Sequence, residues 1–413
     1  MRENGNPGAE SRLSLLRELG EQAVLETIFR KGPITRPEIA TTTELSKPTV
    51  SAAVSRLEHG GLIRAAGRRA GQRGRQPVAY TVSKQAGFVV GSDIGGSNLR
   101  VAAADLFGEP ICDLKQPTTK GGSRALGMQL LEMANEVIDR ASEVHGRPLA
   151  LAISTPGIID QTTGRVTSLA YNVAPEGGFD PLEVIRDRLD MPVLVENNVN
   201  VAAVGEKWFG LARGVSSMVF ISVGAGIGMG VVIDDELVRG AHGAAGEIGY
   251  LPLVGDPFNP RHRLHGGLED EIGAAGIVVA FNERRTAGDP ELSAVHDVFE
   301  LAAGGNATAQ TVVDLVAARL GTAIATVCAI LDPELVVLGG GIGSSPLLLS
   351  PVRGSAASLV PITARIETSR LGDRAALQGA VAVALHSART TLLSRGGPPG
   401  ARTLPGAALA RGR

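Results

Sequence analysis

Residues 195–206 read V-E-N-N-V-N-V-A-A-V-G-E, and the interpretation of this stretch decides the fold. An apolar run at 192–195 leads into Glu196, Asn197, Asn198 and Asn200, and a small-residue helical pattern over 201–209 follows at once. Polar side chains held where a strand passes into a helix sit where open α/β sheets bind ligands, outside the carboxyl ends of the strands. One carboxylate and three amides meet at this junction.

The rest of the composition bounds what such a site can belong to. At 413 residues the chain exceeds one ordinary core, so two or three domains are expected. Hydrophobic residues at 44% and charged residues at 20% suit a globular protein. No uninterrupted apolar run of about 18 residues occurs, which argues against membrane insertion. The first ten residues lack the apolar core of a signal peptide, and a cytoplasmic location is expected. Cys112 and Cys328 are the only cysteines; they suit a reducing compartment and exclude an all-cysteine zinc site. The net charge of −2 is unevenly placed, since residues 1–80 hold 13 Lys and Arg against 8 acidic residues. That asymmetry predicts a basic module joined to an acidic body.

The basic module has an ordered pattern. Helical periodicity over 23–30 is stopped by Gly32-Pro33, Thr35 and Glu38 form a capping-box pair for a short helix over 36–42, and Ser46 is the expected N-cap of a third helix over 47–59. On that third helix Val50, Ala53, Val54 and Leu57 share the core side. Lys47, Pro48, Thr49, Ser51, Ala52, Ser55 and Arg56 are the expected readers, small or polar enough for a helix to approach a major groove. A strand opens at Leu62-Ile63, a tip over 64–76 follows, and a return strand covers 79–82. The tip carries Arg64, Arg68, Arg69, Arg73 and Arg75 without an acid, and Arg73, Gly74, Arg75 and Gln76 are its expected contacts to phosphates or the minor groove. This is a winged helix-turn-helix pattern, and its expected partner is double-stranded operator DNA.

The body shows one unit twice. A strand at 88–91 runs into Asp93-Ile94-Gly95-Gly96-Ser97 and a hairpin over 98–114; a second strand at 218–223 runs into Gly224-Ala225-Gly226-Ile227-Gly228-Met229-Gly230 and the strand 231–233. Two strand–turn–strand units with glycine-rich tips predict two related lobes facing one another, each tip letting backbone N–H groups approach phosphate. Helices are expected at 124–144, 311–331 and 375–388, with a strand over 335–342. Glu247 is the lone carboxylate of G-A-H-G-A-A-G-E-I-G-Y (240–250), a poor place for a charge unless a partner or ligand meets it.

With these motifs the chain resembles the ROK family of bacterial sugar kinases and sugar-responsive repressors. The match covers residues 12–390 and rests on D-I-G-G-S (93–97), S-T-P-G (154–157), E-N-N-V-N-x-A-A-x-G-E (196–206), G-A-G-I-G (224–228), A-G-E-I-G-Y (245–250) and L-G-G-G-I (338–342), with G-R-Q-P (74–77) in the wing resembling the repressor branch. The resemblance implies an α/β, actin-like two-lobe fold of the sugar kinase/ATPase type preceded by the winged module. It also implies sugar contacts from Gly157, Asn197, Asn198, Glu247, Tyr250 and Glu269. Asp93, Gly95, Gly96, Ser97, Gly224, Gly226 and Gly228 become vestigial phosphate loops. Kinases of the family carry Asp, the general base, where Asn198 stands; losing a positioned base costs about 10²–10⁴-fold in rate. Ala225 and Met229 replace the family's threonine and glycine, which weakens the case for nucleotide. Its zinc cysteines fall at Pro260, His262 and Gly267 and its histidine at Tyr250, so neither zinc nor another cofactor is expected.

The sequence therefore predicts a non-enzymatic regulator, a homodimer or homotetramer, whose DNA affinity a sugar modulates. The alternatives are an atypical ATP-dependent sugar kinase and control by a protein partner. Expected boundaries are a flexible start (1–11), the winged module (12–82), a first lobe (84–200 with 372–390), a second lobe (201–371) and a disordered tail (391–413).

Overall fold

The computed structural model describes residues 7–68, 77–160, 162–168, 180, 182–185, 188–256 and 258–393. The N-terminal module consists of α1 (Pro7–Lys31), β1 (Ile34–Thr35), α2 (Arg36–Thr43), α3 (Lys47–His59), β2 (Ile63–Arg68) and β3 (Val78–Val82), with sheet order β1-β3-β2. Local chemistry sets its helix starts. The backbone N–H and hydroxyl of Thr35 donate to the Glu38 carboxylate at 2.8 and 2.7 Å. Ser46 accepts from the Thr49 N–H at 3.3 Å, and Pro48 occupies the first turn of α3, where no N–H is needed.

The recognition helix has the expected bounds, and Val50, Ala53, Val54 and Leu57 are buried as expected. Two elements differ. The first helix is 25 residues long, beginning at Pro7, where a short helix after a flexible start was expected. It runs through Gly20, which faces the Thr49 methyl group of α3; a Cβ there would meet that group at an ordinary contact distance of 3.6 Å. The wing strand β2 reaches Arg68, so Arg64 and Arg68 belong to the strand and not to the tip.

The body begins with β4 (Phe88–Ile94), β5 (Asn98–Asp105), β6 (Pro110–Pro117), α4 (Gly122–His145), β7 (Pro148–Thr155), the small pair β8 (Ile158–Ile159) and β9 (Val166–Ser168), α5 (Leu182–Ile185), β10 (Val193–Asn197) and α6 (Asn198–Phe209). It continues through β11 (Met218–Val223), β12 (Ile227–Ile233), β13 (Glu236–Val238), α7 (His262–His265), α8 (Gly267–Ile272), α9 (Ala274–Arg284), α10 (Val295–Ala303), α11 (Ala307–Leu331), β14 (Leu335–Gly339), α12 (Gly340–Gly343), α13 (Pro346–Leu359), β15 (Arg365–Thr368) and α14 (Ala375–Leu393). The sheets β6-β5-β4-β7-β10 and β13-β12-β11-β14-β15 have one topology: an antiparallel meander, then two parallel strands on its first strand. The duplication read from the two glycine hairpins is therefore present in the whole strand order. The run 335–342 splits, its L-G-G-G-I tail leaving the strand for the helical turn α12. Among the described residues α11 is the one helix long and apolar enough to cross a membrane, and 56% of its apolar window is buried in the second lobe.

Two helices form the layer between the sheets. α14 lies on β4 and α6 on β12, each through a glycine on the strand: a Cβ on Gly91 would fall 2.7 Å from the Val381 nitrogen, and one on Gly230 2.6 Å from the Val199 oxygen. The helices meet backbone to backbone, since a Cβ on Gly379 would lie 1.6 Å from the Val201 oxygen and one on Gly205 2.5 Å from the Ala375 oxygen. Buried Glu206 locks the end of α6 by accepting from the Leu211 and Leu371 N–H groups and the Ser369 hydroxyl, at 2.8, 3.1 and 2.6 Å. α14 continues to Leu393, so residues 391–393 of the expected tail are helical; the remainder lies outside the described residues.

Gly379→Ala is expected to lower the urea midpoint steeply, because overpacking costs about 1–3 kcal/mol even where side chains can adjust and here the obstacle is backbone. Gly354→Ala, on the exposed side of α13 with nothing within 4 Å of the new methyl group, should leave the midpoint unchanged or raised.

Candidate DNA interface and ligand cleft

On α3, Lys47, Pro48, Thr49, Ala52, Ser55 and Arg56 are exposed and Ser51 is half-buried, so the face expected to read DNA is presented to solvent. Several of these groups are already oriented from within. Arg36 donates to Ser51 Oγ at 3.1 Å and to Ser55 Oγ at 3.5 Å while its guanidinium sits 5.2 Å from the Tyr80 ring centroid. Arg56 is paired with Glu21 of α1, and the Thr49 hydroxyl lies 2.7 Å from Ser46 Oγ. Sequence reading passed over Arg36, because nothing local marks an α2 side chain as the support of α3. Arg73, Gly74, Arg75 and Gln76 lie outside the described residues.

In the body, the 196–200 junction divides its labour. Glu196 is almost fully buried and satisfied: it accepts from the Asn197 N–H at 2.9 Å and the Asn200 amide at 3.0 Å, and pairs with Arg239 at 2.6 Å. Asn197 caps α6, its oxygen accepting from the Val199 and Asn200 N–H groups at 2.8 and 3.1 Å, while its amide donates to the Gly157 carbonyl at 3.0 Å. Asn197 therefore positions the Gly157 turn and retains one amide hydrogen for a ligand. Asn198, half-buried in the first turn of α6, has a side-chain amide with no hydrogen bond to the described residues. Arg239, which bridges from the end of β13 to the end of β10, had no signal in the sequence.

β12 gathers the remaining groups. Val199, next to Asn198, packs on Gly228 of that strand. The 240–250 loop joins β12 through the Met229 N–H donating to the Gly246 carbonyl at 2.8 Å. Gly246 has φ +90°, and a Cβ there would fall 1.8 Å from the Met229 oxygen, so only glycine lets Glu247 be delivered to this spot. Glu269 accepts from the Ile227 N–H at 3.1 Å, over the space that Gly226 leaves open. Asn198 and Glu247, through their neighbours Val199 and Gly246, and Glu269 directly thus meet β12, while Asn197 holds Gly157 and Tyr250 is exposed.

The two carboxylates are not compensated equally. Burial, with the Glu269 charge added to it, pushes the Glu247 carboxyl above its ordinary range. Burial likewise raises Glu269, against the opposing Ile227 N–H and His265. Asp93, at the end of β4, is pushed up to about 6 by burial, although the Ser154 hydroxyl donates to it at 3.0 Å.

The glycine tips are tight turns. The Gly95 N–H donates to the Asn98 carbonyl at 3.0 Å and Gly224 to the Gly226 carbonyl at 2.9 Å, while Gly96 and Ser97 are exposed. The donor set does not fit zinc: Pro260 and Gly267 have no ligating side chain, and among the described residues no three His, Cys, Asp or Glu groups converge on a metal site. A cavity of about 830 Å³ is walled by the 107–110 turn, the end of α6 and α14, and none of Gly157, Asn197, Asn198, Glu247 or Glu269 lines it.

Fold and sites together define a DNA-reading winged module fused to a two-lobed body of the sugar-kinase type. A ROK family model matches residues 89–387 and a winged helix-turn-helix DNA-binding model residues 21–64. The chain belongs to the ROK family and is a DNA-binding transcriptional regulator. It is 28% identical to a xylose repressor of Caldicellulosiruptor bescii over 388 residues, covering 90% of this chain and 96% of that one. A glucokinase of Halalkalibacterium halodurans is 32% identical over 286 residues, 64% of this chain and 84% of its own. The crystal structure of a ROK family transcriptional regulator, a homologue of the E. coli MLC protein, superposes with a TM-score of 0.75 at 25% identity, covering 92% of this chain and 98% of that one. The relative and the structure that span both modules are a repressor and a regulator; the kinase matches over a smaller share of this chain.

The raised Glu247 carboxyl makes a signed prediction. Its folded pKa lies above the unfolded value of 4.5, so the folded state holds more protons and stability falls as pH rises through the window above 4.5. Glu247→Gln should therefore raise the Tm of the unliganded protein at pH 7 and flatten its pH dependence over that window. A Tm unchanged or lowered at pH 7 would show that the carboxylate is compensated after all.

Proposed function

We propose that this chain is a cytoplasmic repressor whose affinity for operator DNA is set by a sugar bound between the lobes. The observation that carries the reading is the unengaged amide of Asn198 in the first turn of α6, beside an engaged Asn197 and near two carboxylates raised by burial. An amide both donates to and accepts from hydroxyls, and carboxylates accept from them, so the set suits a polyhydroxylated neutral ligand. It does not suit phosphoryl transfer, because Asn198 cannot take a proton from the attacking hydroxyl. Asn198 and Glu269 hold ligand hydroxyls, and Glu247 is relieved of its unmet burial when a hydroxyl donates to it.

α3 enters the major groove and the wing arginines grip the flanking backbone. A homodimer, or a homotetramer built from two, reads half-sites spaced by about 34 Å or a multiple. The sugar alters DNA binding only by its difference in affinity for the two states, typically about 1–3 kcal/mol. Support for the sugar class comes from the site's donors and from the relative named a xylose repressor.

Calorimetry with D-xylose, D-glucose and N-acetylglucosamine tests the cleft. At least one should release heat, and Asn198→Ala should weaken that sugar about 3- to 10-fold, the share of one hydrogen bond; no heat from any of the three would sink the sensing reading. A coupled assay for ADP should show no turnover above background. Asn198→Asp is the comparison, and appreciable turnover by the unaltered protein would make it a kinase.

A further inference from the structure

The sugar cleft and the DNA reader are connected by one continuous path of packed side chains. α6 begins at the cleft with Asn198 and, at 1.5 Å per residue, its 12 residues carry it about 18 Å to Trp208 and Phe209. There the guanidinium of Arg389, on the last turns of α14, stands 5.4 Å from the Trp208 ring centroid and 5.4 Å from that of Phe29. Phe29 belongs to α1 of the DNA module. The same guanidinium donates to the Leu106 carbonyl at 3.1 and 2.6 Å, which fixes its plane, and the Phe107 ring is 6.0 Å from that of Phe29.

The path is stiff on both sides of this stack. α6 and α14 touch backbone to backbone at Gly205 and Gly379, so neither slides without the other. Beyond Phe29, α1 holds the recognition helix through the Glu21–Arg56 pair and the Gly20–Thr49 contact. One apolar cluster runs from Val24 and Ile28 of α1 to Val201 and Leu385 of the interlobe layer. The stack itself has room to change, because Phe107, Trp208 and Arg389 wall the cavity of about 830 Å³. Packed elements move between discrete arrangements and do not deform continuously, and an open flank is where a second arrangement fits.

We infer that Arg389, held between Trp208 and Phe29, is the positioning residue through which a sugar at the start of α6 sets the angle of the DNA module. The inference rests on the sugar-sensing reading. Ligand contact at Asn198 shifts α6 and α14 as one body. Their far ends carry Trp208 and Arg389 with them, and α1 follows through Phe29. Arg389 touches neither sugar nor DNA; cation–π stacking, the Leu106 carbonyl and the nearby charge of Asp105 hold it in place.

The test uses the full-length protein with D-xylose, D-glucose and N-acetylglucosamine as probes and a genomic operator fragment selected by gel shift. Trp208 is the only tryptophan of the chain, so tryptophan emission reports on the stack alone. Sugar that gives calorimetric heat should shift that emission and change DNA affinity by about 5- to 150-fold. Arg389→Ala and Trp208→Ala should bind sugar and bare operator within about threefold of the unaltered protein, while the sugar-dependent change collapses toward onefold. Trp208→Phe, which keeps a ring face for the guanidinium, should restore most of the change, an outcome that simple destabilisation does not produce.

Arg389→Ala retaining the full sugar-dependent change would overturn the inference, as would unaltered Trp208 emission while calorimetry shows sugar bound. No heat from any of the three sugars would instead overturn the sensing reading, and this inference with it.

Discussion

Everything in this molecule is arranged about the contact between α6 and α14. Helices with ordinary side chains pack with axes about 8–10 Å apart; at Gly205 and Gly379 no side chain intervenes, and each helix lies against the other's carbonyl groups. Such an approach makes the pair one rigid body between two sheets. Because each helix is seated on its own sheet by a strand glycine, Gly91 or Gly230, the lobes inherit their relation from that pair. The apolar cluster around it extends into the DNA module, so the reader is packed onto this layer as well as joined to it by chain.

The polar groups follow a matching division. Glu196 and Glu206 are buried and each accepts from several donors, which is how a carboxylate is tolerated in a core. They fix the two ends of α6. The side chains of Glu247 and Asn198 are half-buried and have no protein hydrogen-bond partner among the described residues, and burial raises the Glu247 carboxyl. The proposed ligand site differs from a core in this respect: its free hydrogen-bonding capacity is what a ligand would satisfy.

The features that could be read in sequence were those with local causes. The bounds of α3 were legible because Ser46, Pro48 and Gly60 act within one helical turn. The doubled body was legible because two glycine hairpins repeat a pattern that backbone sterics make recognisable, and the strand order agrees. The length of α1 was not legible. Glycine lowers helix propensity at position 20, and α1 is carried through it by packing on α2, α3 and β3, which no local pattern announces. Asn197 was placed at the ligand, yet its side chain chiefly caps α6 and holds Gly157, a distinction that spacing alone cannot make.

By itself the sequence determined the class: a basic reader ahead of an α/β body built on two glycine hairpins. Those are facts of residue type, order and short-range spacing. Only the tertiary structure decided which groups are engaged and which are free, and which distant side chains meet. Arg36 under Ser51 and Ser55, Arg239 on Glu196, and Arg389 between Phe29 and Trp208 each join positions far apart in the chain. The physical reason is that such partners are chosen by packing of whole elements, through backbone approaches that glycine permits, and not by anything encoded within a turn of either residue.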